Sequence, residues 1–188
     1  MKIGGNSIRP GMIIEHQGRL WVAVKTQHTQ PGKGGAYLQV ELKDIQGGTK
    51  LNERFRSSES VERVRLDQAN YQYLYDEGEM ITLMHSENFE QLSVLRELVG
   101  EPALYLQEGM ILTVESHEGK PLAVTLPEHA TVAIAETEPT VKGQTAAASY
   151  KPALLENGVR TLVPPHIEVG TRIVVNTADS SYVERARD

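Results

Sequence analysis

Glycine and proline recur between short apolar runs along most of this 188-residue chain, which contains 16 Gly and 9 Pro. The runs are rich in Val, Ile, Leu, Thr and Tyr, and long stretches of helical periodicity are nearly absent. A turn glycine precedes an apolar run at Gly11, Gly78, Gly109 and Gly170. This repeated pattern is typical of small barrels rather than of one sandwich. The sequence therefore predicts an all-β protein built from several small β-barrels.

One segment carries a helical pattern. Four apolar residues within Asn88–Val99 fall near one face of a 3.6-residue period. Gly100 is well placed to end such a helix. We therefore predict a single short helix within this range.

The clearest pair of strands flanks residues 29–35. Side chains alternate along residues 20–25 before this segment and along residues 36–43 after it. An alternation that holds over eight residues is expected of a half-buried strand. The segment between them contains Pro31 and three glycines, which allow tight turns. Residues 29–35 are therefore predicted to form the loop of a β-hairpin.

One long side chain, that of Lys33, projects from the predicted loop. A lysine in a hairpin loop is ordinarily a solubilising charge. Here the regular flanking strands form a stiff arm, and the surrounding glycines leave its tip almost bare of side chains. Such an arm presents one amine to a confined partner and keeps that amine accessible to a modifying enzyme. We therefore predict that Lys33 is the functional residue of the tip.

Charge is distributed unevenly, although the chain as a whole carries −6. Residues 1–40 contain five basic residues, Lys25 among them, and one acid, whereas residues 64–127 contain three basic residues and eleven acids. A basic end attracts phosphates, and an acidic body discourages non-specific adhesion to nucleic acid. The asymmetry predicts a protein that touches RNA with one end only.

Several classes of protein are disfavoured by what the sequence lacks. Cysteine is absent, which excludes disulfides and thiolate metal sites. No apolar stretch of signal-peptide length begins the chain, and the apolar residues 20–24 are too few to span a bilayer. We expect a cytoplasmic protein that makes no membrane contact.

Catalytic constellations are also missing, which argues against an enzyme. The six histidines are dispersed without the i, i+4 spacing of a helical metal site, and there is no Gly-x-Ser-x-Gly motif. The tip superficially resembles a phosphate-binding loop, but glycine follows Lys33 where Ser or Thr is needed. The acidic pair Asp76-Glu77 is interpreted as solvated loop charge. We predict neither a catalytic residue nor a metal site.

Four motifs closely resemble the bacterial elongation factor P family, and the likeness runs through essentially the whole chain. The first is the tip itself, Pro31-Gly32-Lys33-Gly34-Gly35-Ala36. The others are residues 73–78 with 89–92, residues 137–146 with 151–153, and residues 170–173 with 182–185. Each motif alone is weak, but all four occur in the family's order and spacing.

The resemblance implies a fold and a set of domain boundaries. The family has an N-terminal SH3-like (KOW-type) barrel followed by two OB-fold barrels, arranged in an L shape similar to tRNA. The expected domains are therefore residues 1–64, which carry the Lys33 hairpin, residues 65–127 and residues 128–188. The factor is expected to be a monomer.

The resemblance also implies a function. Such a factor binds the ribosome between the peptidyl-tRNA and exit sites when synthesis stalls at consecutive prolines. Lys33 would reach along the CCA end of peptidyl-tRNA, with Pro31, Gly32, Gly34 and Gly35 beside it, and would favour a productive geometry for peptide-bond formation. In several branches this lysine carries an extension such as (R)-β-lysyl, added by a lysine-modifying enzyme. No dissociable cofactor is expected.

Three further residues, Lys25, Tyr182 and Arg185, are predicted to contact RNA. The chain departs from common forms of the family at Gly35, at Thr140 and at Ser181. These departures leave open which modifying enzyme acts on the lysine, and so whether and how it is modified.

Three alternatives stay open. A generic barrel that binds single-stranded RNA would use aromatic stacking, for which Trp21 and Tyr37 are the candidates, although core packing is the commoner fate of strand aromatics. An enzyme is disfavoured because no set of side chains forms a plausible site. The elongation-factor-P-like paralogue shares the architecture, but the tip and residues 137–146 favour the principal factor.

Overall fold

The computed structural model describes residues 1–140 and 149–187, and these residues are almost entirely β-structure. They form three sheets joined by turns and three short 3-10 helices, with no α-helix in these two ranges. None of their helices is long and apolar enough to cross a membrane. The prediction of an all-β protein is confirmed.

The first sheet has six antiparallel strands, and its spatial order is β1-β6-β2-β3-β4-β5. Its strands are β1 (Lys2–Gly4), β2 (Ile13–His16), β3 (Arg19–Thr29), β4 (Tyr37–Asp44), β5 (Lys50–Arg56) and β6 (Ser60–Val64). The 3-10 helix Gly5–Ser7 follows β1 and lies against the end of β5, which curls the sheet into a barrel. A Cβ on Gly5 would lie 2.5 Å from the carbonyl oxygen of Arg56, so glycine is required for this close approach.

The alternation along the predicted hairpin decides which side chains enter the core of this barrel. Leu38, Val40 and Leu42 of β4 are at most 1% exposed. On β3 the core side chains are Trp21 and Ala23. A register shift between residues 23 and 25 then turns the following residues, so the apolar side chain at position 24 is exposed.

The second sheet has five strands in the order β11-β10-β7-β8-β9. Its strands are β7 (Asp67–Glu77), β8 (Met80–His85), β9 (Gln91–Leu95), β10 (Ile111–His117) and β11 (Lys120–Thr125). Two 3-10 helices, Arg96–Leu98 and Glu101–Tyr105, connect β9 to β10.

The predicted helix within Asn88–Val99 is wrong. Most of this range is β9 followed by a single 3-10 turn. β9 pairs with β8, so Val94 faces the core at 4% exposure while the next residue, Leu95, points outward at 45%. Burial therefore alternates along β9 with a period of two, although Val94 and Leu95 are both apolar, and the apolar pattern alone did not distinguish this strand from a helix.

The third sheet also has five strands, in the order β14-β13-β12-β15-β16. Its strands are β12 (His129–Thr137), β13 (Lys151–Leu155), β14 (Arg160–Val163), β15 (Arg172–Asn176) and β16 (Tyr182–Arg185). The two edge strands, β14 and β16, approach each other, and the Thr161 hydroxyl donates a hydrogen bond to the carbonyl oxygen of Ser180. This approach curls the sheet on itself.

The chain divides into two compact units. One comprises Met1–Gln68 with Glu115–Ala123, and the other comprises Ala69–Val114 with Val124–Asp188. Within the second unit a single buried cluster continues from the second sheet into the third, and the Tyr105 hydroxyl donates to Oγ of Ser180 at 2.7 Å. The domain boundaries at 64/65 and 127/128 stay predictions.

Candidate functional site

The predicted hairpin is present as β3, β4 and the loop between them. The two strands pair in register from Trp21 opposite Asp44 to Thr29 opposite Tyr37, apart from the shift at residue 24. β3 has eleven residues, which corresponds to a length of about 36 Å. Because β4 also pairs with β5 up to Arg56, the loop rises from a three-stranded base.

The tip of the loop is exposed and carries little besides one amine. Lys33 is exposed, and its Nζ forms no ion pair with a described residue. A Cβ built on Gly32 or Gly35 would meet nothing within 4 Å. Gly34 has a φ of +114°, and a Cβ there would come within 3.9 Å of the ring of Pro31. The tip therefore offers bare backbone around one mobile cation.

The outer face of the three-stranded base carries an aromatic ring between two arginines. The guanidinium of Arg54 lies 4.9 Å from the ring centroid of Tyr37, within the range of a cation–π contact. Arg56 stands directly opposite Tyr37 in the register. Neither arginine is among the residues that the sequence predicts to contact RNA, although their spacing of two on a strand puts them on one face.

Trp21 packs in the core, the commoner of the two fates considered for it, and is not available to stack on RNA bases. Trp21 is 4% exposed and packs in the first core, and its Nε1–H donates to the carbonyl oxygen of His16 at 2.9 Å. A ring held in this way has no free face for a base. Of the two aromatic residues considered, only the half-buried Tyr37 reaches the surface.

A buried carboxylate fixes the turn at the base of the arm, between β4 and β5. Asp44 is 5% exposed, and its Oδ1 accepts hydrogen bonds from the amides of Gln46 at 2.8 Å and Gly47 at 3.2 Å. Its Oδ2 accepts one from Arg19 at 3.1 Å. Burial opposes ionisation, but these three donors outweigh it and lower the pKa of Asp44.

The three residues predicted to contact RNA fall on different parts of the chain. Lys25 is exposed on β3, beside the register shift and opposite Glu41. Tyr182 and Arg185 share β16 in the second unit. Arg185 is exposed, whereas Tyr182 is half-buried, and its burial, with a smaller effect from Tyr150, raises its pKa.

The acidic pair Asp76-Glu77 is only partly the solvated charge that was expected. Glu77 is exposed, but Asp76 accepts a hydrogen bond from the Tyr73 hydroxyl at 2.5 Å and forms an ion pair with Arg96. Burial of the ring and the contact with Asp76 raise the pKa of Tyr73 to about 12. Asp76 is therefore a structural residue that links β7 to the connection after β9.

Two further sequence predictions concern metal binding and the third family motif. Residues 1–140 and 149–187 contain no group of three or more His, Cys, Asp or Glu that could hold a metal ion. The motif at residues 137–146 lies mainly outside the described residues.

Comparison with known proteins covers nearly every residue. Residues 5–61 match the family model "Elongation factor P (EF-P) KOW-like domain", residues 66–124 match "Elongation factor P (EF-P) OB domain", and residues 131–185 match "Elongation factor P, C-terminal". The chain is 62% identical over 186 residues to elongation factor P of Parvibaculum lavamentivorans, covering 99% of this chain and 100% of that one. It is 56% identical over 188 residues to elongation factor P of Bartonella bacilliformis, covering 100% and 99% of the two chains.

Solved structures with a similar fold include a eukaryotic translation initiation factor 5A from Methanococcus jannaschii. It has a TM-score of 0.59 and 23% identity, and the match covers 67% of this chain and 92% of that one. A translation initiation factor eIF-5A family protein from Naegleria fowleri has a TM-score of 0.51 at 17% identity, covering 68% and 96%. These two likenesses concern the fold, whereas the three family models and the close relatives span this chain. The chain therefore belongs to the elongation factor P family of translation elongation factors.

Proposed function

We propose that this protein relieves ribosomes stalled at consecutive prolines by positioning peptidyl-tRNA through the tip of its β3–β4 hairpin. The observation that carries the proposal is the exposed Lys33 amine, set among bare glycines at the end of a long paired arm. The factor would bind between the peptidyl-tRNA and exit sites. There the amine would lie along the CCA end and point toward the reacting groups.

Positioning alone is enough to accelerate this reaction. The proline ring fixes φ, so a prolyl residue has few ways to approach or present a reacting carbonyl. Holding two reactants in a productive geometry supplies the entropic part of the barrier without a donated catalytic group. A flexible cation suits this role because it attracts phosphate and carbonyl oxygens without imposing a rigid geometry.

The rest of the tip is suited to a confined site. Gly32 and Gly35 face open space, so the loop is only as thick as its backbone at these positions. Gly34 adopts a positive φ, which lets the chain turn without a side chain. Pro31 limits the freedom of the loop on its N-terminal side. RNA could therefore approach the backbone of the tip closely.

Lys33 is also the proposed site of a covalent extension, of which (R)-β-lysyl is one form. The amine is exposed and unpaired with respect to the described residues, so a lysine-modifying enzyme could reach it. An extension with a second amine would lengthen the reach of the tip and add hydrogen-bond donors.

Other surfaces would hold the factor on the ribosome. Lys25 on the arm, and Tyr182 with Arg185 on β16, are the proposed contacts to tRNA or rRNA. The acidic residues 64–127, with a net charge of −8, would repel free RNA and so confine binding to these contacts. We further propose that the factor acts as a monomer in the cytoplasm and mimics tRNA in its charge.

The proposal is tested in a reconstituted translation system with two reporters, one with three consecutive prolines and one matched reporter without them. The protein is purified from its own source, so that any modification of Lys33 is retained. We expect the protein to raise the yield of the proline reporter selectively. We expect Lys33→Ala to abolish this effect while leaving the melting temperature unchanged, because the side chain is exposed.

Lys43→Ala is the matched control, since it removes an exposed lysine from β4 at the far end of the same arm. It should rescue the proline reporter as the unchanged protein does. Lys33→Arg retains the charge but cannot receive a lysine-specific extension, and so separates the two contributions of the amine. Equal rescue by Lys33→Ala and by the unchanged protein would overturn the proposal.

A further inference from the structure

Phe89 combines two features that a folded chain ordinarily avoids. Its side chain is 66% exposed, and its backbone φ is +62°, in the left-handed region. Asn, Asp and Gly tolerate this region, but a bulky residue there is a genuine outlier. The other non-glycine residues with positive φ in the described ranges are small or hydrophilic, namely Gln17, Glu118 and Ser180.

Hydrogen bonds hold the loop that presents this ring. We define the Phe89 loop as residues 85–90, which comprise the last residue of β8 and the five residues that precede β9. Nδ1 of His85 accepts from the amides of Glu87 at 3.1 Å and Asn88 at 3.2 Å, and the amide of Phe89 donates to the His85 carbonyl at 3.0 Å. Oδ1 of Asn88 accepts from the amide of Glu90 at 2.9 Å. The ring is therefore displayed by a loop of defined conformation.

The loop is attached firmly to the sheet behind it. The amide of Ser86 donates to the carbonyl oxygen of Asn70 at 3.0 Å, which ties the loop to β7. The ring of Tyr71 packs edge-on against His85, with 5.0 Å between the ring centroids. Exposed hydrophobic side chains that occur singly need no explanation. An exposed aromatic fixed in a strained backbone by this many contacts is a candidate for binding.

The charge around the loop selects the kind of partner. Residues 69–95 contain five carboxylates and no lysine or arginine, but three of them (Asp76, Glu77 and Glu79) lie at the β7–β8 turn, at the other end of β8 from the Phe89 loop. Two of the carboxylates, Glu87 and Glu90, belong to the Phe89 loop and are exposed. RNA would be repelled from such a surface, whereas a cationic protein would be attracted to it.

We propose that the Phe89 loop docks onto a basic ribosomal protein, with the Phe89 ring in an apolar pocket and Glu87 and Glu90 facing cationic side chains. An aromatic anchor surrounded by charged residues is a common arrangement in protein–protein interfaces. The proposal depends on ribosome association but not on the role proposed for Lys33. It assigns the anionic Phe89 loop to protein contact, and it leaves RNA contact to other surfaces.

Photocrosslinking to purified ribosomes tests the partner directly. A photoreactive benzoylphenylalanine replaces Phe89 in the full chain, and the same residue at Val169 is the control, because that position is 61% exposed on another part of the chain. We expect position 89 to cross-link to a basic ribosomal protein with a higher yield than position 169. Cross-linking to rRNA alone, or a yield no higher than that of the control, would overturn the proposal.

Ribosome affinity gives a second test with variants that keep the fold. Phe89→Gly removes the ring and accommodates a φ of +62° without strain, and Phe89→Asn does the same with a second residue that tolerates this region. Both should melt as the unchanged protein does and bind ribosomes at least about fivefold more weakly, as expected when an interface anchor is truncated. Val169→Ala should bind normally. Unchanged affinity of both folded Phe89 variants contradicts the proposal.

Two further tests address the role of Glu87 and Glu90 and the independence of this proposal from the role of Lys33. The double change Glu87→Gln with Glu90→Gln should weaken binding at low salt and flatten its dependence on salt, and an unaltered salt dependence would contradict the charge complementarity. At saturating concentration Phe89→Gly should still rescue the proline reporter, whereas Lys33→Ala should bind without rescue. A failure of either proposal is therefore visible without the other.

Discussion

At the scale of single residues, the three glycines around Lys33 differ in what they tolerate. Gly32 and Gly35 have negative φ and open space where a Cβ would lie, whereas Gly34 has a φ of +114°. We expect Gly32→Ala and Gly35→Ala to change the free energy of unfolding by less than about 0.5 kcal/mol, and Gly34→Ala to lower it by about 1 kcal/mol or more. Chemical denaturation measures all three values.

The same variants separate folding from function at the tip. If the bare backbone is needed in a confined site, Gly32→Ala should reduce rescue of the proline reporter while its stability is unchanged. A Gly34→Ala variant as stable as the unchanged protein would contradict the loop conformation described here. Full rescue by Gly32→Ala would show that the site has room for a methyl group.

Asp44 is a polar residue whose loss should lower stability at the base of the arm. Asp44→Ala leaves the amides of Gln46 and Gly47 without their acceptor and removes the partner of Arg19. We expect the free energy of unfolding to fall by about 2–3 kcal/mol. Asp67→Ala, which removes an exposed carboxylate at the start of β7, should cost less than about 0.5 kcal/mol. Equal effects of the two changes in a denaturant titration would contradict this account.

The contribution of the Asp44 carboxylate to the free energy of unfolding depends on pH with a definite sign. The folded-state pKa of Asp44 is lowered from its ordinary value of 3.8, so the ionised carboxylate stabilises the folded state above that pH. The stabilisation is lost as the pH falls through the lower, folded-state pKa. Asp44→Asn should therefore show a reduced free energy of unfolding at neutral pH, and its difference from the unchanged protein should shrink below about pH 3.8. A difference that is constant from pH 7 to pH 2 would contradict the assignment.

At the scale of elements, closure of the first barrel depends on Gly5. A Cβ at this position would lie 2.5 Å from the carbonyl oxygen of Arg56 and 2.9 Å from Cβ of Phe55, so the chain must shift to admit it. We expect Gly5→Ala to lower the free energy of unfolding by about 2–3 kcal/mol, the usual cost of overpacking. Gly32→Ala is the matched control, because its added methyl group meets nothing. Similar melting temperatures for the two variants would show that the approach of the 3-10 helix Gly5–Ser7 to β5 is looser than described.

The β3–β4 hairpin could be predicted from the sequence, whereas the strand and turn in residues 88–99 could not. The hairpin could be predicted because residues 36–43 alternate over eight positions, which no helical period imitates. The range 88–99 could not, since four apolar residues in twelve fit a helix as well as a strand followed by a turn. The strand conformation of residues 91–95 is determined by the pairing of β9 with β8 and by the loop around His85, whose imidazole accepts hydrogen bonds from two backbone amides. Such long-range and turn contacts leave no periodic pattern in the sequence.

In the candidate site, too, some features could be predicted from the sequence and others could not. Lys33 and its glycines were predictable because local composition alone makes a bare tip. The burial of Trp21 was not settled by alternation, since Leu20, Val22 and Val24 form an equally apolar set on the opposite face. Barrel closure and the register shift at residue 24 decide which set enters the core.

At the scale of the whole molecule, charge is the property that relates the sequence to its partner. Residues 1–40 carry +4 and residues 64–127 carry −8. We expect Lys25→Glu to weaken ribosome binding and to reduce its dependence on salt, because the exposed amine would face phosphates. Lys120→Glu makes the same change in net charge at an exposed position on β11 and should have a smaller effect. Equal affinities of the two variants at several salt concentrations would contradict a specific role for Lys25.

The family was recognisable at this scale because four separate motifs keep one order along the chain, and the three matching family models follow that order. The sequence did not predict that the second and third sheets share one continuous core. Buried side chains of the second and third sheets, from Tyr73 to Val175 in sequence, share one cluster, so burial in one sheet depends on side chains far away in sequence. Pieces of about 60 residues are only marginally stable alone, and sharing a core increases the apolar surface that each of them buries.

The most direct test of the central claim is the single-turnover rate of proline–proline bond formation on purified ribosomes, measured at saturating concentrations of the factor. The account predicts that the unchanged protein raises this rate, and that Lys33→Ala occupies the ribosome with similar affinity yet leaves the rate at its value without factor. If Lys33→Ala raises the saturated rate as the unchanged protein does, the tip amine does not position the reactants, and the central claim fails.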